Sequence, residues 1–329
     1  MINIEKVHGS QNSFFLLDQT KLVKPLTTTE LQNLVIKLTD SKTGLLGGSD
    51  GLLVVEPATA PAAIAQMRIF NKDGSQALMC GNGLRTVARY LAGKLHQREF
   101  LVQTAAANLR VQQYPDLAPG VPAFSVEIAP VSFTANDVGW HNLPFTKIIN
   151  QPIPAFSANL KFTALAVPNP HLISFVADIH ESHEILGQLG QELNQPNQYF
   201  PGGVNVSFAQ ILAPNKLFVE TYERGVGFTN ACGTGMSATS LAGHLAYPEQ
   251  IAADELLTVY NLGGLVKTKI HSRVNGYWIE LIGNATVTHQ IYLPEKCLHE
   301  AEFEQQQVSL VETDEQDAYL KFVSTFKNS

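Results

Sequence analysis

The sequence predicts an α+β fold with two pseudo-symmetric domains, each a curved β-sheet wrapped around a central helix, and an active site in the cleft between them. Two observations lead to this prediction. The two halves of the chain contain similar segments in the same order, and each half has one cysteine at the expected start of a buried helix. The chain has 329 residues, of which 45% are hydrophobic, and this is enough for two packed cores.

The internal repeat is clearest around these two cysteines. Residues 68–92 align with residues 220–244 when Cys80 is placed over Cys232, and both cysteines are followed by Gly-x-Gly. Each copy then continues into small apolar residues, a pattern typical of a buried helix. A duplicated α+β domain explains why both cysteines occur in the same sequence context, which a single copy of the domain would not explain.

The repeat extends into the predicted strands. Residues 100–112 resemble residues 256–269, and each segment predicts a strand, a turn of small residues and a second strand. Residues 124–130 likewise resemble residues 278–284. We therefore expect the sheet elements to follow the helix in the same order in each half.

These boundaries place the first domain at residues 1–130, completed by strands from 285–294, and the second domain at residues 131–284. No Gly/Ser-rich or charged linker separates them, so we expect a short connection between strands. Residues 295–329 are rich in Glu and Gln and have no counterpart in the first half. They predict an acidic C-terminal appendage, either a peripheral helix or a partly ordered segment.

Composition and charge narrow the class of protein. The formal net charge is −7, and no Lys/Arg-rich run indicates nucleic acid or a membrane as a partner. No run of about 20 apolar residues indicates a membrane span, and the first residues lack the features of a signal peptide. The three cysteines are odd in number and far apart, which favours thiols in a reducing, cytoplasmic setting.

The two Cys-Gly-x-Gly turns have a chemistry of their own. A helix N-terminus offers unpaired backbone N–H groups and a positive dipole end, so it binds an anion such as a carboxylate. The same field favours the thiolate form of a cysteine. Two such turns facing each other would hold one carboxylate and place one sulfur on each side of the adjacent carbon.

This arrangement suits inversion of an amino-acid α-carbon without a cofactor. Inversion by proton exchange needs a base on one face of the carbon and an acid on the other, and a thiolate and a thiol supply both. The charge that grows on the carboxylate must be stabilised in the transition state, and two helix N-termini can do so.

Other interpretations of these turns are weaker. A single cysteine is most often a small buried hydrophobe, and Cys297, which has no glycine-rich context, is expected to be structural or exposed. A phosphate loop of the Walker type needs Gly-Lys-Ser/Thr, which is missing, and a lone Gly-x-Gly is a weak dinucleotide signal. A metal site is not expected, because no further ligands lie near the cysteines in the sequence.

The residues resemble the diaminopimelate epimerase family over about residues 1–290. Seven motifs carry the resemblance, in the order that the family has them. They are HGSQNSFFLLD at 8–18, GGSDG at 47–51, NKDGSQALMCGNGLR at 71–85, PNPH at 168–171, GGVNV at 202–206, ERGVGFTNACGTG at 223–235 and GG at 263–264. The resemblance implies a cofactor-independent epimerase of lysine and peptidoglycan-precursor biosynthesis, which converts LL- into meso-diaminopimelate.

The resemblance also implies roles for individual residues. Cys80 and Cys232 are the proton-transfer pair, and Glu223 and His171 lie beside the thiols and help to set their protonation. The residues that the resemblance places around the reacting carboxylate are Gly81, Asn82, Gly233 and Thr234. Those that it assigns to substrate binding, mainly at the distal amino-acid end, are Asn12, Asn71, Asn169, Asn205 and Arg224. Arg224 also suits a distal carboxylate on chemical grounds, because a guanidinium pairs with it bidentately.

The chain departs from the family pattern at three places. Ser13 stands where Asp is usual, Pro168 where Gly is common, and Gly51 where Gln is a frequent alternative. We expect none of the three to touch the cysteine pair, but each could alter the fit of the substrate.

Three alternative functions remain at this point. A racemase of another amino acid such as histidine would keep the cysteines and lose the distal-end residues, which are present here. A phenazine-biosynthesis-type isomerase of the same fold would lack the cysteine pair. A non-catalytic binding protein is the third. For the favoured enzyme we expect a small amino-acid substrate as partner, and a homodimer is compatible with the sequence.

Overall fold

The protein, studied as a computed structural model, is described over residues 1–274 and 276–327. It divides into two compact units, unit 1 with residues Met1–Val126 and the chain from Gly283 onward, and unit 2 with residues Glu127–Ile282. Each unit contains one long central helix and one set of strands.

Within the described residues the helices and strands are as follows. The helices are α1 (Thr28–Leu38), α2 (Gly81–Leu95), α3 (Ala135–Val138), α4 (Ile179–Asn194), α5 (Gly233–Ala246), α6 (Glu295–Glu300) and α7 (Glu315–Lys327). The strands are β1 (Ile2–Gly9), β2 (Asn12–Asp18), β3 (Gly51–Glu56), β4 (Ala65–Asn71), β5 (Gln76–Ala77), β6 (Glu99–Gln103), β7 (Asn108–Ala118), β8 (Val121–Ile128), β9 (Gln151–Pro152), β10 (Lys161–Ala166), β11 (Pro170–Phe175), β12 (Asn205–Ala213), β13 (Lys216–Glu223), β14 (Gly227–Thr229), β15 (Leu256–Asn261), β16 (Gly264–Arg273), β17 (Gly276–Asn284), β18 (Thr286–Leu293) and β19 (Ser309–Glu312).

Unit 1 has a helix on each side of its sheet. Helix α1 begins at a capping box formed by Thr27 and Glu30, and its apolar face packs on the sheet in one core cluster with residues such as Phe15 and Phe70. Helix α2 contacts β1, β2, β3, β4 and β7. Because strands from across the sheet contact a single helix, the sheet curves around α2.

Unit 2 repeats this arrangement. Helix α4 begins at Asp178, whose side chain accepts hydrogen bonds from two backbone N–H groups, and it packs on the outer face of the sheet. Helix α5 contacts β10, β11, β12, β13, β15 and β16, and its residues from Gly233 to Gly243 are all buried. The small side chains of α5 therefore let the sheet close tightly around it.

Strand pairing confirms the predicted internal repeat. In unit 1, β1–β2 is antiparallel, β2–β3 parallel, β3–β4 antiparallel, β4–β6 parallel and β6–β7 antiparallel. In unit 2, β10–β11, β11–β12, β12–β13, β13–β15 and β15–β16 follow in the same five senses. The α+β fold with a central helix in each of two similar units is thus as the sequence predicts.

The C-terminal segment, expected from its composition to be an acidic appendage at 295–329, lies within unit 1. Strand β19 pairs with β18, and helix α7 packs against β18. Glu315 of α7 accepts two hydrogen bonds from Arg89 of α2, each 2.5 Å long, and the buried Tyr319 packs edge-to-face on His8 with 4.8 Å between ring centroids. An apolar stripe on α7 thus anchors a segment whose overall composition is polar.

Among the residues that the structure describes, none of the helices combines the length and hydropathy that a membrane span requires.

Candidate active site

Each unit presents a cysteine at the N-cap of its central helix. Cys80 has φ −146° and ψ 113°, and its Sγ accepts a hydrogen bond from the Gly83 N–H at 3.4 Å. Cys232 has φ −108° and ψ 103°, and its Sγ accepts from the Gly235 N–H, also at 3.4 Å. In both units a sulfur therefore takes the place that a Ser, Thr or Asp oxygen usually has at an N-cap, where the helix dipole favours negative charge.

The glycine at the third position after the cysteine is closely packed in both units. A Cβ on Gly235 would lie 3.2 Å from Cys232 Sγ and 3.1 Å from Thr221 Oγ1. A Cβ on Gly83 would lie 2.7 Å from a methyl carbon of Leu53. The glycines thus let the first helical turn approach both the sulfur and the surrounding sheet.

The half-site of unit 1 is built around the side chain of Asn12, at the start of β2. Its Oδ1 lies 3.8 Å from Cys80 Sγ and accepts a hydrogen bond from Asn82 Nδ2 at 3.2 Å. Gly81 and Asn82 form the buried first turn of α2. Asn71 is exposed at the end of β4 and donates to Ser75 Oγ at 3.0 Å.

The half-site of unit 2 contains the remaining candidates. Asn205 is buried at the start of β12, and its Oδ1 accepts from the backbone N–H of Arg224 at 2.8 Å. The Arg224 guanidinium is exposed and donates to the carbonyl of Gly202 at 3.0 Å. Asn169 is half-buried between β10 and β11, so these polar groups project from adjacent strand ends.

The first turn of α5 completes this half-site. Gly233 and Thr234 are both buried, and Thr234 Oγ1 lies 3.6 Å from Cys232 Sγ. Glu223 is half-buried at the end of β13. The alcohol and the backbone N–H groups of this turn are donors of the kind that a carboxylate accepts.

His171 is fully buried in β11, directly opposite Asn205 in the parallel pairing with β12. Neither ring nitrogen of His171 has a hydrogen-bond partner among the described residues. Burial, together with a smaller effect of the nearby positive charge of Arg224, lowers the pKa of His171 to about 3. His171 is therefore a neutral imidazole at physiological pH.

The three departures from the family pattern each have a local structural setting. The Ser13 N–H donates to Asp50 Oδ2 at 2.8 Å. A Cβ on Gly51 would lie 2.3 Å from the Phe70 carbonyl oxygen, so this backbone has no room for a glutamine side chain. Pro168 follows a cis peptide bond in the turn before β11.

Two residues of unit 1 that sequence reasoning did not single out contact the asparagines of this half-site. Arg85 donates from Nη2 to Asn82 Oδ1 at 3.0 Å, and Asp50 accepts from Asn12 Nδ2 at 2.9 Å. A signal for Arg85 was available in the repeat, because the aligned residue in the second copy is Ser237. Arg85 is charged and the residue aligned with it in the other copy is not, although both lie in buried parts of their helices. This difference indicates a role that only unit 1 has.

Cys297 lies apart from this chemistry. It is buried in the core cluster of α1, its Sγ donates to Gln307 Oε1 at 3.2 Å, and burial raises the pKa of its thiol. These contacts agree with the expected structural role.

The buried His171 predicts a pH-dependent stability. Its pKa is near 6.5 in the unfolded chain and about 3 in the folded protein, so the unfolded state binds more protons between these values. The free energy of unfolding should therefore fall as the pH drops below 6.5, by about 3 kcal/mol from this group between pH 7 and pH 4. Chemical denaturation of wild type and His171→Gln at both pH values measures this contribution.

The difference between pH 7 and pH 4 should be smaller in His171→Gln by about that amount. The exposed His180→Gln variant is the control and should keep the wild-type difference. An unchanged pH dependence in His171→Gln would contradict the assignment of a buried neutral imidazole.

The structure defines a fold class, that of two-unit α+β proteins with a set of strands around a central helix in each unit. The structure is similar to that of a probable proline racemase from Agrobacterium radiobacter K84, with a TM-score of 0.62 and 13% sequence identity over 99% of this chain and 100% of that one. At this identity the likeness shows the fold alone.

Sequence relatives give the family. The family model for diaminopimelate epimerase matches residues 4–123 and 163–288. A diaminopimelate epimerase of Lactiplantibacillus plantarum is 49% identical over 327 residues, and one of Enterococcus faecalis is 48% identical over 330 residues, each covering 98% of both chains. The chain belongs to the diaminopimelate epimerase family and is an isomerase.

Proposed function

We propose that this enzyme interconverts LL- and meso-diaminopimelate by a two-cysteine acid/base mechanism that needs no cofactor. The single observation that carries the proposal is the repeated N-cap geometry, in which Cys80 and Cys232 accept the same backbone hydrogen bond at the start of equivalent helices. The sequence relatives support diaminopimelate rather than histidine as the substrate. We infer a cytoplasmic role in lysine and peptidoglycan-precursor biosynthesis, in a compartment that keeps both thiols reduced.

The proposed reaction assigns one cysteine to each face of the α-carbon of the substrate. One cysteine, as the thiolate, removes the α-proton and becomes a thiol. The other cysteine, initially a thiol, delivers its proton to the opposite face and becomes a thiolate. No net proton is gained or lost, and the reverse reaction exchanges the two roles.

The first turns of the central helices would stabilise the carbanion. When the α-proton leaves, negative charge spreads onto the adjacent carboxylate. The backbone N–H groups of Gly81 and Gly233 lie at the positive ends of the helix dipoles, which stabilise that charge. The side chains of Asn82 and Thr234 would add hydrogen bonds to the same carboxylate. These donors are already fixed by folding, so little reorganisation is needed in the transition state.

The distal end of the substrate carries a second ammonium group and a second carboxylate. We propose that the exposed guanidinium of Arg224 pairs with this carboxylate bidentately. The amides of Asn12, Asn71, Asn169 and Asn205 would accept from the ammonium group or donate to the carboxylate. A substrate without the distal carboxylate should consequently bind poorly.

We propose that His171 and Glu223 adjust the protonation of the thiols. Because His171 is neutral, it can donate one hydrogen bond and accept another, but it does not contribute a fixed positive charge. Glu223 would provide the negative charge that disfavours two thiolates in the site at once.

The proposed function predicts that purified enzyme brings LL- and meso-diaminopimelate to the same mixture from either side, without added cofactor. Chiral chromatography of timed samples measures both directions, and lysine is the comparison substrate. Lack of interconversion, or racemisation of lysine or histidine at a comparable rate, would show that the assignment is wrong.

A further inference from the structure

Four side chains of unit 1 form a hydrogen-bonded chain that runs past Cys80. Arg85 Nη2 donates to Asn82 Oδ1 at 3.0 Å, and Asn82 Nδ2 donates to Asn12 Oδ1 at 3.2 Å. Asn12 Nδ2 then donates to Asp50 Oδ2 at 2.9 Å. The chain therefore leads from the buried interior behind α2 to the exposed loop before β3.

The two ends of this hydrogen-bonded chain, Arg85 and Asp50, fix the direction of its hydrogen bonds. A guanidinium has only donors, so the amide group that faces Arg85 must present its oxygen. An ionised carboxylate has only acceptors, so the amide that faces Asp50 must present its nitrogen. With both ends fixed, Asn82 and Asn12 each have one orientation, although an isolated asparagine could adopt either.

This direction determines which atom of Asn12 faces the Cys80 sulfur. Asn12 Oδ1 lies 3.8 Å from Cys80 Sγ, so the thiol form of Cys80 can donate its hydrogen to an acceptor. If Asn12 were flipped, an N–H group would face the sulfur instead and would favour the thiolate. Asn82 likewise turns its NH₂ group toward Asn12 Oδ1, the same oxygen that faces Cys80, and an NH₂ group is the donor that a carboxylate needs.

The interior end of the chain is built to hold a guanidinium. Arg85 is fully buried, and its Nε donates to the Asn284 carbonyl at 3.1 Å. A Cβ on Gly9 would lie 2.6 Å from Arg85 Nη2, and one on Gly283 would lie 2.9 Å from the guanidinium carbon. Two glycines thus leave the space that the planar group occupies.

Burial opposes the charge of Arg85 but does not remove it. Desolvation lowers the pKa of Arg85 to about 10, so the group remains a cation at neutral pH. A buried cation is costly unless nearby groups compensate it, and replacing such a group with a hydrophobic residue often leaves stability unchanged or improved. Packing alone therefore does not explain why residue 85 is an arginine.

We propose that Arg85 and Asp50 are positioning residues, which fix the orientations of Asn82 and Asn12 and thereby prepare the Cys80 half-site for proton transfer and carboxylate binding. This inference rests on the proposed epimerase function and adds to it two residues that act through the asparagines.

The test compares variants at Arg85 and Asp50, the two ends of the hydrogen-bonded chain. Arg85→Met keeps much of the side-chain volume but has no donor, so kcat/KM for diaminopimelate should fall about 10- to 100-fold. Arg85→Lys keeps a donor-only cation and should come within about fivefold of wild type. Asp50→Ala, at an exposed position, should lower kcat/KM about 3- to 10-fold, and Asp50→Asn, whose oxygen can replace the carboxylate, should recover it.

Thermal unfolding and a matched control separate positioning from packing. A packing role predicts that Met is tolerated better than Lys at residue 85, whereas the proposal predicts the opposite order of activity. Arg89→Met is the control, because Arg89 lies one turn further along α2 and binds Glu315 instead of an asparagine. It should lower the unfolding temperature with little change in kcat/KM.

A readout without turnover tests the hydrogen-bonded chain separately from the proposed reaction. The side-chain amide resonances of Asn12 and Asn82 in the ¹⁵N-labelled enzyme should shift in both Arg85→Met and Asp50→Ala, because the chain couples the two ends. If wild type fails to epimerise diaminopimelate, the proposed function is wrong whatever these spectra show. If wild type is active, the inference is overturned by equal activity of Arg85→Met and wild type, by Met outperforming Lys, or by amide resonances that respond only to the nearer substitution.

Discussion

Replacing Cys80 or Cys232 with alanine is expected to lower the rate of diaminopimelate epimerisation at least about a thousandfold, because each variant lacks the acid or the base for one face of the α-carbon. Chiral chromatography in both directions measures the rates. Both cysteines sit at N-caps of similar geometry, so the two losses should be of similar size.

Two controls accompany this prediction. Cys297→Ala removes the third thiol, which is buried in the α1 core, and should leave kcat and KM unchanged. Each single-cysteine variant should still eliminate halide from a β-halogenated diaminopimelate, because that reaction needs one base to remove the α-proton while the halide leaves. Near-normal epimerisation by either alanine variant would refute a mechanism that uses both sulfurs.

Loss of the Arg224 guanidinium is also expected to have a large effect. Arg224→Met should lower kcat/KM for diaminopimelate about 10- to 100-fold, because a charge-assisted contact to the distal carboxylate is lost. Arg224→Lys should be intermediate, since an ammonium group cannot pair bidentately. Steady-state kinetics with diaminopimelate and lysine give the selectivity of each variant.

The selectivity is the decisive part of this prediction. Wild type should discriminate strongly against lysine. Arg224→Met should lose much of that discrimination, because it removes the partner of the distal carboxylate, which diaminopimelate has and lysine lacks. Arg273→Met, which removes another arginine of unit 2 from its pair with Glu127, should keep the wild-type selectivity. A selectivity for diaminopimelate over lysine that survives in Arg224→Met would exclude Arg224 as the distal carboxylate partner.

The repeat and the helix starts could be predicted from the sequence because they depend on local patterns. Cys-Gly-x-Gly followed by small apolar residues specifies both the N-cap and the buried helix, and the aligned strands extend the pattern to the whole unit. The structure places Cys80 and Cys232 where this reasoning expects them.

The polar chain from Arg85 to Asp50 could not be predicted in this way. Its members come from β2, the loop before β3 and the first turns of α2, and they meet because β2 and β3 pair in parallel with Phe14 opposite Gly51. Strand register is set by packing across the whole sheet and is not visible in the spacing of four residues.

The C-terminal segment shows the limit of composition. Its Glu and Gln content predicts an acidic appendage, either a peripheral helix or a partly ordered segment. The structure has helix α7 there, on which Tyr319 and Val323, four residues apart, are both buried. Spacing along one helix face decided the packing here, whereas the average polarity of the segment did not.

Isotope incorporation at the α-carbon tests the two-sulfur mechanism most directly. Enzyme equilibrated in deuterated water is given protiated LL-diaminopimelate, and both stereoisomers are isolated at low conversion for mass spectrometry. We expect the meso product to carry one α-deuterium from the first turnover while the recovered LL substrate stays largely protiated, because one sulfur removes the proton and the other delivers solvent-derived deuterium. A meso product that retains the original α-proton would contradict the mechanism, since it would show that a single base removes and returns the same proton.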